Sequence, residues 1–270
     1  MQVAIVIPTY NEKENITRLL DEIKHAVTGM EINLKFVIVD DNSPDGTAIV
    51  VNELAKREQN IYLLSRSGKL GLGSAYLHGF KWILNNNNTA QTDIVIQMDA
   101  DLSHPPQLIE KMVKELSNGE ADVVVGSRYS GEGSSLNWPL HRKLISKVAN
   151  KLSTALLGVK VKDMTSGYRA FKLNVIRQLM SVNLSGGGYE YQIESLYAAS
   201  KMGNRIKEIP FLFSNRIGGK SKLTIKDILA FMRLIVNLKV KPSQYPKGSD
   251  SVSENEKQKQ TTHLCHENNN

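Results

Sequence analysis

Five short apolar runs alternate with longer amphipathic segments in the first half of this 270-residue chain: VAIVIP, FVIVD, IYLLS, IVIQMD and DVVVGS. Strands that alternate with helical patterns are typical of βαβ units, so we predict an α/β fold with a mostly parallel sheet flanked by helices. Polar turns follow three of the runs, at TYNE, DDNSPDGT and DADLSHPP. The carboxyl ends of parallel strands share one edge of a sheet, where open α/β sheets bind ligands. These three turns therefore predict the functional site.

The segments after the turns carry signals for helix starts. After TYNE, apolar residues at helical spacing mark one face of a predicted helix: Ile16, Leu19, Leu20, Ile23 and Val27. Asn11 and Glu14 have the spacing of a capping box, and Asp45 is placed to cap the second helix. Pro105 and Pro106 suit the opening of a helix after the third turn.

Charge and cysteine content limit the class of protein. The net charge is +7, and the last thirty residues carry four residues of each sign, so the basic excess lies in residues 1–240. The single cysteine, Cys265, excludes an internal disulfide framework and a cysteine-rich zinc site, and favours a cytosolic location. VAIVIP is too short for a signal peptide, and no apolar run approaches the roughly 20 residues of a spanning helix. We expect any membrane contact to be peripheral.

We predict one folded unit over residues 1–240 and a disordered tail over 241–270, where apolar residues are few. Residues 1–126 are its regular α/β half and 127–222 its less regular half. Two basic amphipathic segments occur, at 141–162 and 223–240. The first contains six Lys or Arg and no acid, and its apolar residues have helical spacing: Leu144, Ile145, Val148, Leu152 and Leu156.

Asp99 and Asp101 form an Asp-x-Asp triplet just beyond the fourth apolar run. Two carboxylates at this spacing can approach one ligand, and hard oxygen donors suit Mg²⁺ or Mn²⁺, typically bridging a diphosphate. The alternative is that Asp99 merely ends the strand and Asp101 forms an Asx turn.

The first two turns predict a nucleotide pocket beside the triplet. Tyr10 offers an aromatic face, and Asp41 offers an acceptor for a base N–H. In the alternative interpretation Pro8 terminates a strand and Tyr10 is a packing residue. The stretch GKLGLGSAYLHG is not a dinucleotide fingerprint, because Tyr76 stands at the third glycine position. His104, just before two prolines, is expected to have a role in the turn.

Eight motifs occur in order between residues 8 and 223: PTYNE, VDDNSPDGT, GLGSAYLHGF, MDADLSHPP, GSRY, DMTSGYRAF, GYEYQIE and RIGGKSKL. Together they resemble the family 2 glycosyltransferases of the GT-A fold, a Rossmann-like sugar-nucleotide transferase fold, and among them the dolichol-phosphate mannosyltransferases. The resemblance covers about four-fifths of the chain. It implies inverting transfer of mannose from GDP-mannose to dolichyl or another polyprenyl monophosphate, with GDP as the second product.

The resemblance also implies site residues. The nucleoside would be held by Pro8, Tyr10, Glu12, Val39 and Asp41, and the diphosphate, metal and sugar by Asp99, Ala100 and Asp101. Phosphates would be held by Arg128, Arg216 and Lys222, which makes Asp99, Asp101 and Arg128 the candidate catalytic residues. Some members carry a metal-binding Gln two residues beyond the triplet, where this chain has Ser103, the candidate third ligand of Mg²⁺ or Mn²⁺.

Residues of two further motifs have open roles. Asp163, Thr165, Ser166, Gly167 and Arg169 match the D-x-T-S-G-[FY]-R segment and suggest an acceptor site, but Asp163 and Arg169 are equally suited to a structural ion pair. Tyr189, Gln192 and Glu194 lie at a predicted buried helix start. Gln192 and Glu194 either face the pocket or brace it.

A dolichol acceptor lies in a bilayer, and the two basic amphipathic segments suit an anionic membrane face. Core packing is the alternative explanation of their apolar stripes. Members of the resembled family often carry spanning helices, whereas no apolar run of this sequence is long enough to form one. We therefore expect this chain to bind the cytoplasmic side of a membrane peripherally or through a small membrane subunit.

Two rival functions differ in substrate or class. One is a polyprenyl-phosphate glucosyltransferase that uses UDP-glucose. The other is a basic nucleic-acid-binding module, which is disfavoured because the cations are not interleaved with aromatics, aromatic content is only 6%, and no helix-turn-helix or zinc spacing occurs.

Overall fold

The computed structural model describes residues 1–86, 91–135, 140–184, 188, 190–213, 225–240 and 245. The strands in this part of the chain are β1 Gln2–Thr9, β2 Asn33–Asp40, β3 Ile61–Ser65, β4 Ile94–Gln97, β5 Val123–Ser127, β6 Ser134–Ser135, β7 Arg169–Lys172, β8 Ile206–Pro210 and β9 Leu212–Phe213. The helices are α1 Lys13–Ala26, α2 Thr47–Arg57, α3 Leu72–Asn85, α4 Leu108–Ser117, α5 Leu140–Leu157, α6 Leu173–Met180, α7 Glu190–Lys201 and α8 Ile225–Val240. All five predicted strands are confirmed as β1 to β5.

Seven strands form one sheet in the order β3-β2-β1-β4-β7-β5-β8. The pairs β1–β2, β2–β3, β1–β4 and β5–β8 are parallel, while β7 is antiparallel to both β4 and β5. The predicted mostly parallel α/β sheet is therefore confirmed. Strands buried on both faces read as continuous apolar runs, which is why β1, β2, β4 and β5 were evident in the sequence.

Helices cover both faces of the sheet. Residues of α1, α2 and α4 pack on the face that carries Ile5, and residues of α3, α6 and α7 pack on the face that carries Val6. Helix α3 approaches β1 closely at Gly79, where an added Cβ would lie 2.5 Å from Val6 Cγ1. Glycine is therefore required by packing at this position.

The apolar face predicted for the first helix is confirmed, but the predicted capping box is wrong. Asn11 has a left-handed backbone (φ 62°), and α1 begins at Lys13 without a side-chain cap from Asn11 or Glu14. An N-cap residue typically has extended backbone, so Asn11 is unsuited to the role. Lys13 N instead donates to Asp45 Oδ2 at 3.0 Å, and Asp45 Oδ1 accepts from Thr47 N at 2.9 Å. Asp45 thus accepts from the first backbone N–H group of both α1 and α2, although the N-cap residue of α2 is Gly46.

Two other predicted helix limits shift. Pro105 and Pro106 lie in the turn before α4, whose first residue is Leu108. Helix α5 ends at Leu157 because Gly158 adopts a left-handed conformation (φ 68°), a common way to end a helix. The helical part of the first basic segment therefore ends at Leu157.

Helix α5 buries polar residues and exposes apolar ones. Asn150 and Ser153 are buried, whereas Leu140, Leu144 and Val148 are 85%, 64% and 57% exposed. Leu144 and Val148 belong to the apolar stripe predicted from the sequence, so the alternative of core packing is wrong for them.

Helix α8, which packs against α5 and α7, has a buried and an exposed apolar face. The buried residues are Leu234, Ile235 and Leu238, and the exposed ones are Met232, Val236 and Val240. None of the described helices is long and apolar enough to cross a bilayer.

Tyr245 lies in the segment predicted to be a disordered tail, but it is buried. Its hydroxyl donates to Glu194 Oε1 at 2.9 Å, and its ring packs edge-on against Tyr197. Tyr245 itself is therefore packed against the folded unit. Residues 241–244 and 246–270 lie outside the described residues.

Candidate active site

The polar turns meet along one edge of the sheet because the strand ends are in register. Pro8 pairs with Val39, Thr9 with Asp40, and Asp40 with Ser65, so β1, β2 and β3 end side by side. The triplet that follows β4 is next to the end of β1, as expected from the parallel pairing of these strands.

Asp40 joins the first two turns. It is fully buried and accepts hydrogen bonds from Thr9 Oγ1 at 2.8 Å and from Ser43 N at 2.9 Å. Its carboxylate therefore supports the shape of the edge and leaves ligand contacts to its neighbours.

Arg66 is a residue of this edge that the sequence analysis missed. Its guanidinium donates to the Asp41 carboxylate and, through Nη1, to Ser74 Oγ at 2.8 Å. Leu70 N also donates to Asp41 Oδ2, at 3.1 Å, so the loop after β3 is folded onto Asp41. The sequence contained a signal for Arg66, because this residue directly follows β3 and the carboxyl ends of parallel strands form the ligand-binding edge of the sheet. Gly71, with φ 99°, completes this loop.

The other residues predicted to hold a nucleoside lie at the ends of β1 and β2. Tyr10 is 37% exposed, and Lys69 Nζ lies 4.3 Å from its ring centroid, so the packing interpretation of Tyr10 is wrong. Pro8 is half-buried, and Glu12 accepts a hydrogen bond from Asn15 Nδ2 at 2.7 Å. Val39 is fully buried, backbone included, so the structure does not expose it to a ligand.

The turn after β4 is held by its own residues. Asp99 N donates to His104 Nδ1 at 3.0 Å, which confirms the turn role of His104. Ser103 N and Oγ both donate to Asp101 Oδ1, at 3.1 and 2.5 Å. Leu102 has a left-handed backbone (φ 61°), a conformation that costs energy for a residue with a Cβ and that clusters at functional sites. Ala100 is buried between the two carboxylates.

The Tyr76 hydroxyl contacts the first carboxylate of the triplet. Tyr76 OH donates to Asp99 Oδ1 at 3.1 Å. Burial raises the pKa of Tyr76 well above its usual value, and the charges of Asp99 and then Asp101 raise it further. Tyr76 thus holds one oxygen of the Asp99 carboxylate in place.

The donor set fits a divalent cation. Asp99 is partly exposed, with 23% of its side chain accessible, and hard carboxylate oxygens suit Mg²⁺ or Mn²⁺. No group of three or more His, Cys, Asp or Glu suited to a metal ion occurs among the described residues. An ion here would therefore complete its shell with substrate oxygens and water, as Mg²⁺ commonly does. The Ser103 hydroxyl, which positions Asp101, stays a predicted ligand.

Arg128, just beyond β5, forms a buried ion pair with Asp163. Its Nε and Nη2 donate to the two carboxylate oxygens at 2.8 and 2.7 Å, and Nη2 also donates to Thr165 Oγ1 at 2.8 Å. Burial opposes the charged forms, but the pairing prevails: it lowers the pKa of Asp163 and raises that of Arg128, to which Asp99 also contributes. Arg128 thus lies within electrostatic reach of the triplet.

The proposed ion pair between Asp163 and Arg169 is wrong. Arg169 is fully buried and donates to Ser195 Oγ at 3.1 Å and to the Met164 carbonyl at 2.8 Å. Burial lowers its pKa to about 10. Asp163 and Arg169 do not meet although they are six residues apart, because Arg169 lies in β7 while Asp163 remains in the preceding loop. Asp163 pairs with Arg128 instead.

The buried face of α5 is attached to that loop. Asn150 Nδ2 donates to Thr165 Oγ1 at 3.0 Å, and Thr165 N donates back to Asn150 Oδ1 at 3.1 Å. Tyr129, next to Arg128, donates through its hydroxyl to Ser146 Oγ of the same helix at 2.7 Å. Helix α5 is therefore fixed directly behind the ion pair.

The two motif residues on α7 lie apart. Glu194 accepts from Tyr245 and braces the carboxyl-terminal segment, while Gln192 reaches the end of β4 and contacts Gln97. Gly167 and the buried Ser166 lie in the loop that faces this turn. The predicted residues Tyr189, Arg216 and Lys222 lie outside the described residues.

A mostly parallel sheet with acidic turns along its carboxyl edge defines the α/β class that binds nucleotides at that edge. Solved structures of this fold include glucosyl-3-phosphoglycerate synthase from Mycobacterium tuberculosis with Mn²⁺, uridine diphosphate and phosphoglyceric acid. It superposes with a TM-score of 0.60 at 21% identity and covers 91% of this chain and 79% of its own. The structure of the same enzyme with Mg²⁺ and uridine diphosphate superposes with a TM-score of 0.58 at 20% identity, and the match covers 90% of this chain and 79% of that enzyme. These similarities confirm the GT-A fold. The two solved structures of this fold contain Mn²⁺ and Mg²⁺, respectively.

The family model of glycosyl transferase family 2 matches residues 4–180. The chain is 37% identical over 225 residues to the polyprenol monophosphomannose synthase of Mycolicibacterium smegmatis, covering 83% of this chain and 82% of that protein. It is 34% identical over 224 residues to the undecaprenyl-phosphate mannosyltransferase of Micrococcus luteus, covering 83% and 88%. The chain therefore belongs to glycosyltransferase family 2.

Proposed function

We propose that this protein is an inverting mannosyltransferase that moves mannose from GDP-mannose to dolichyl or another polyprenyl monophosphate. The observation that carries the proposal is that Asp99, with 23% of its side chain accessible, and Asp101 follow β4 at the carboxyl edge of the sheet, where Arg128 follows β5. The two relatives named for mannosyl transfer to polyprenyl acceptors support the choice of sugar and acceptor.

The acceptor explains why the site needs no general base. A phosphate monoester has its second pKa near 6, so it arrives largely ionised at neutral pH and is itself the nucleophile. Attack on the anomeric carbon from the face opposite the diphosphate inverts that carbon. The site must therefore hold two anionic groups in line and stabilise charge on the departing one.

Asp99 and Asp101 would hold a Mg²⁺ or Mn²⁺ ion. When bound, such an ion neutralises charge on the departing diphosphate. Ser103 maintains the orientation of Asp101, and Tyr76 that of Asp99, through the hydrogen bonds described above. Arg128, kept in one orientation by Asp163 and Thr165, would attract the phosphate groups, and Arg216 and Lys222 are proposed to assist it.

The first two turns would bind the nucleoside. Tyr10 presents an exposed ring on which a base can stack, and Lys69 lies over that ring. The Asp41 carboxylate is engaged by Arg66 and Leu70 N, so a base N–H would share an acceptor that is already oriented. Pro8 and Glu12 would complete the pocket, with the buried Val39 supporting it from below.

We also propose that α5 and α8 lie against the cytoplasmic face of an anionic membrane. Leu144 and Val148 are exposed on a helix whose exposed lysines include Lys147 and Lys151. Such a pattern suits insertion of apolar groups between anionic head groups. The same helix is attached behind Arg128 through Asn150, which would place the acceptor head group near the site. A small membrane subunit would be an additional anchor.

A transfer assay tests the proposed reaction. The full chain is incubated with labelled GDP-mannose, Mn²⁺ and vesicles containing a polyprenyl phosphate, and lipid-extractable label is measured. We expect label that depends on the metal, and we expect Asp101→Asn to lower the rate about 100-fold or more. The matched control is Asp21→Asn, at an exposed position of α1. Full activity of Asp101→Asn, or equal transfer from UDP-glucose, would contradict the proposal.

Vesicle flotation tests the membrane contact separately. Leu144→Glu combined with Val148→Glu should reduce binding to anionic vesicles. Ile49→Glu is the control, because Ile49 is 70% exposed on α2, away from α5 and α8. Equal flotation of both variants would refute the assignment of this surface.

A further inference from the structure

His104 links the two ends of the turn that carries the triplet. Asp99 N donates to His104 Nδ1 at 3.0 Å, across five residues of chain. Because Nδ1 accepts this hydrogen bond, the proton of the neutral imidazole must be on Nε2. Nε2 lies 4.0 Å from Asp99 Oδ2. One nitrogen of the ring therefore holds the Asp99 backbone, and the other faces the Asp99 carboxylate as an N–H group.

The ring of His104 is held in place by aromatic side chains. It is only 2% exposed and stacks on Tyr168, with ring centroids 4.8 Å apart and an angle of 11° between the planes. Phe211 and Phe213 pack edge-on against it, each with a centroid distance of 6.0 Å. A rotation of the imidazole would break these contacts. The acceptor that Asp99 N meets is thus fixed by the packing of the fold.

The backbone of this turn requires such support. Leu102 has a left-handed conformation (φ 61°), which costs energy for a residue with a Cβ and persists only where neighbouring contacts hold it. Ser103 supplies contacts within the turn through its two hydrogen bonds to Asp101 Oδ1. The hydrogen bond to His104 ties the Asp99 backbone to the aromatic cluster outside the turn. The position of Asp99 relative to Asp101 therefore depends on His104.

His104 is not itself suited to bind a cation. The Nδ1 lone pair is engaged by Asp99 N, and Nε2 carries the proton, so neither nitrogen offers a lone pair to a metal ion. A contribution of His104 to metal binding must therefore pass through Asp99, whose side chain is 23% accessible. Removal of groups that orient metal ligands in this way commonly lowers metal affinity by about 10–100-fold.

We propose that His104 is a positioning residue of the metal site. It keeps Asp99 in the place from which this carboxylate and that of Asp101 can bind one Mg²⁺ or Mn²⁺ ion, and it contacts neither the ion nor the substrate. The inference rests on the proposed function for the presence of a divalent ion at the triplet. It gives the histidine a role in metal affinity in addition to its role in the shape of the turn.

Metal titration of matched variants is the first test. Binding of Mn²⁺ to the full chain is followed by electron paramagnetic resonance of the free ion, in the presence of GDP. His104→Phe keeps a ring that can stack on Tyr168 but removes the acceptor for Asp99 N, so we expect Mn²⁺ to bind about 10–100-fold more weakly. His104→Asn returns an acceptor oxygen close to the place of Nδ1 and should recover part of this loss. Equal losses in the two variants would contradict the role of Nδ1.

Two controls separate positioning from general stability. His25→Phe makes the same change at an exposed position of α1, and Tyr168→Phe removes a buried hydroxyl that donates to the Pro105 carbonyl at 3.0 Å. Both should bind Mn²⁺ like the wild type. Melting curves give the temperature range in which every variant is folded, and the titrations are made there. If His104→Phe melts earlier but binds Mn²⁺ like the wild type, His104 only stabilises the fold and the inference is wrong.

Nuclear magnetic resonance with isotope-labelled histidine tests the assigned tautomer directly. The ring-nitrogen signals of His104, identified by their loss in His104→Phe, should show a proton on Nε2 and none on Nδ1. Mg²⁺ bound with GDP should shift the Nε2 signal, because the charge of the neighbouring Asp99 carboxylate is then neutralised, whereas the signals of His25 should not change. A proton on Nδ1, or a His104 signal that bound Mg²⁺ does not affect, would refute the assignment.

The outcomes distinguish the inference from the proposed function. If the wild type binds no Mn²⁺ in the presence of GDP, the proposed metal site and the inference both fail. If the wild type binds Mn²⁺ and His104→Phe binds it equally well, only the inference fails. If the expected differences in affinity occur but no lipid-linked product forms in the transfer assay, the proposed transfer fails and the positioning role stands.

Discussion

Asp163→Asn removes the negative charge that faces the buried guanidinium of Arg128. Asp163 is fully buried, Arg128 is 8% exposed, and three hydrogen bonds of 2.7–2.9 Å join them, one of them from the Arg128 backbone. Asparagine keeps the shape but leaves a buried positive charge without its counter-charge. Breaking a buried pair in this way costs about 3–5 kcal/mol of unfolding free energy. At roughly 2–4 °C per kcal/mol, the melting temperature should fall by about 6–20 °C.

The assay is equilibrium unfolding in urea of the wild type, both single variants and the double variant Arg128→Met with Asp163→Asn. The double variant should be more stable than Asp163→Asn alone, because it contains no uncompensated buried charge. Asp21→Asn, which removes an exposed pair with Lys24 at 3.3 Å, should change stability by less than about 1 kcal/mol. A loss below about 1 kcal/mol for Asp163→Asn, or additive losses in the double variant, would refute the reasoning.

Three further changes probe other contacts. Gly79→Ala should destabilise the protein by about 1–3 kcal/mol in urea unfolding, because the new methyl group overlaps a valine of β1, whereas Gly68→Ala, which meets no atom within 4 Å, should be neutral. The hydrogen bonds from Arg205 keep the pKa of Asp122 below its unfolded value near 4, so its stabilisation is present above about pH 4 and is lost as the pH falls through the folded pKa. Melting curves between pH 7 and pH 2 should therefore show a smaller acid loss for Asp122→Asn. Tyr245→Phe removes a hydrogen bond to the buried Glu194 carboxylate and should lower stability by about 1.5–3 kcal/mol in the same unfolding assay. An unchanged midpoint would contradict a stabilising role for this contact.

The strands could be predicted because burial on both faces leaves a local pattern. Each of β1, β2, β4 and β5 is a continuous apolar run, and the polar residues after β1, β2 and β4 were placed at one edge by the parallel topology alone. Strand β7 is only four residues long, RAFK, and such a short run does not distinguish a strand from a helix. Its position between two strands distant in sequence leaves no local signal.

The side-chain partners at the site were harder to predict than its location. A structural ion pair with Arg169, six residues away, was one of two alternatives for Asp163, but Asp163 pairs with Arg128, 35 residues away. Tyr76 was considered only as a departure from a glycine pattern, yet it donates to Asp99. These pairings depend on how helices and loops pack across the sheet edge, which motif spacing does not encode.

The antiparallel strand β7 determines when the sheet can be completed as the chain leaves the ribosome. Strand β5 is complete once residue 127 has been synthesised, but its two hydrogen-bonded neighbours, β7 and β8, are residues 169–172 and 206–210. A nascent chain or a truncated protein ending near residue 126 therefore has a four-stranded sheet, β3-β2-β1-β4, with an exposed edge at β4. Long-range pairing of this kind is slow to form, so the edge stays open during synthesis. The regular first half thus has the turns of the site but lacks the strand that closes its sheet, and we expect it to aggregate when produced alone.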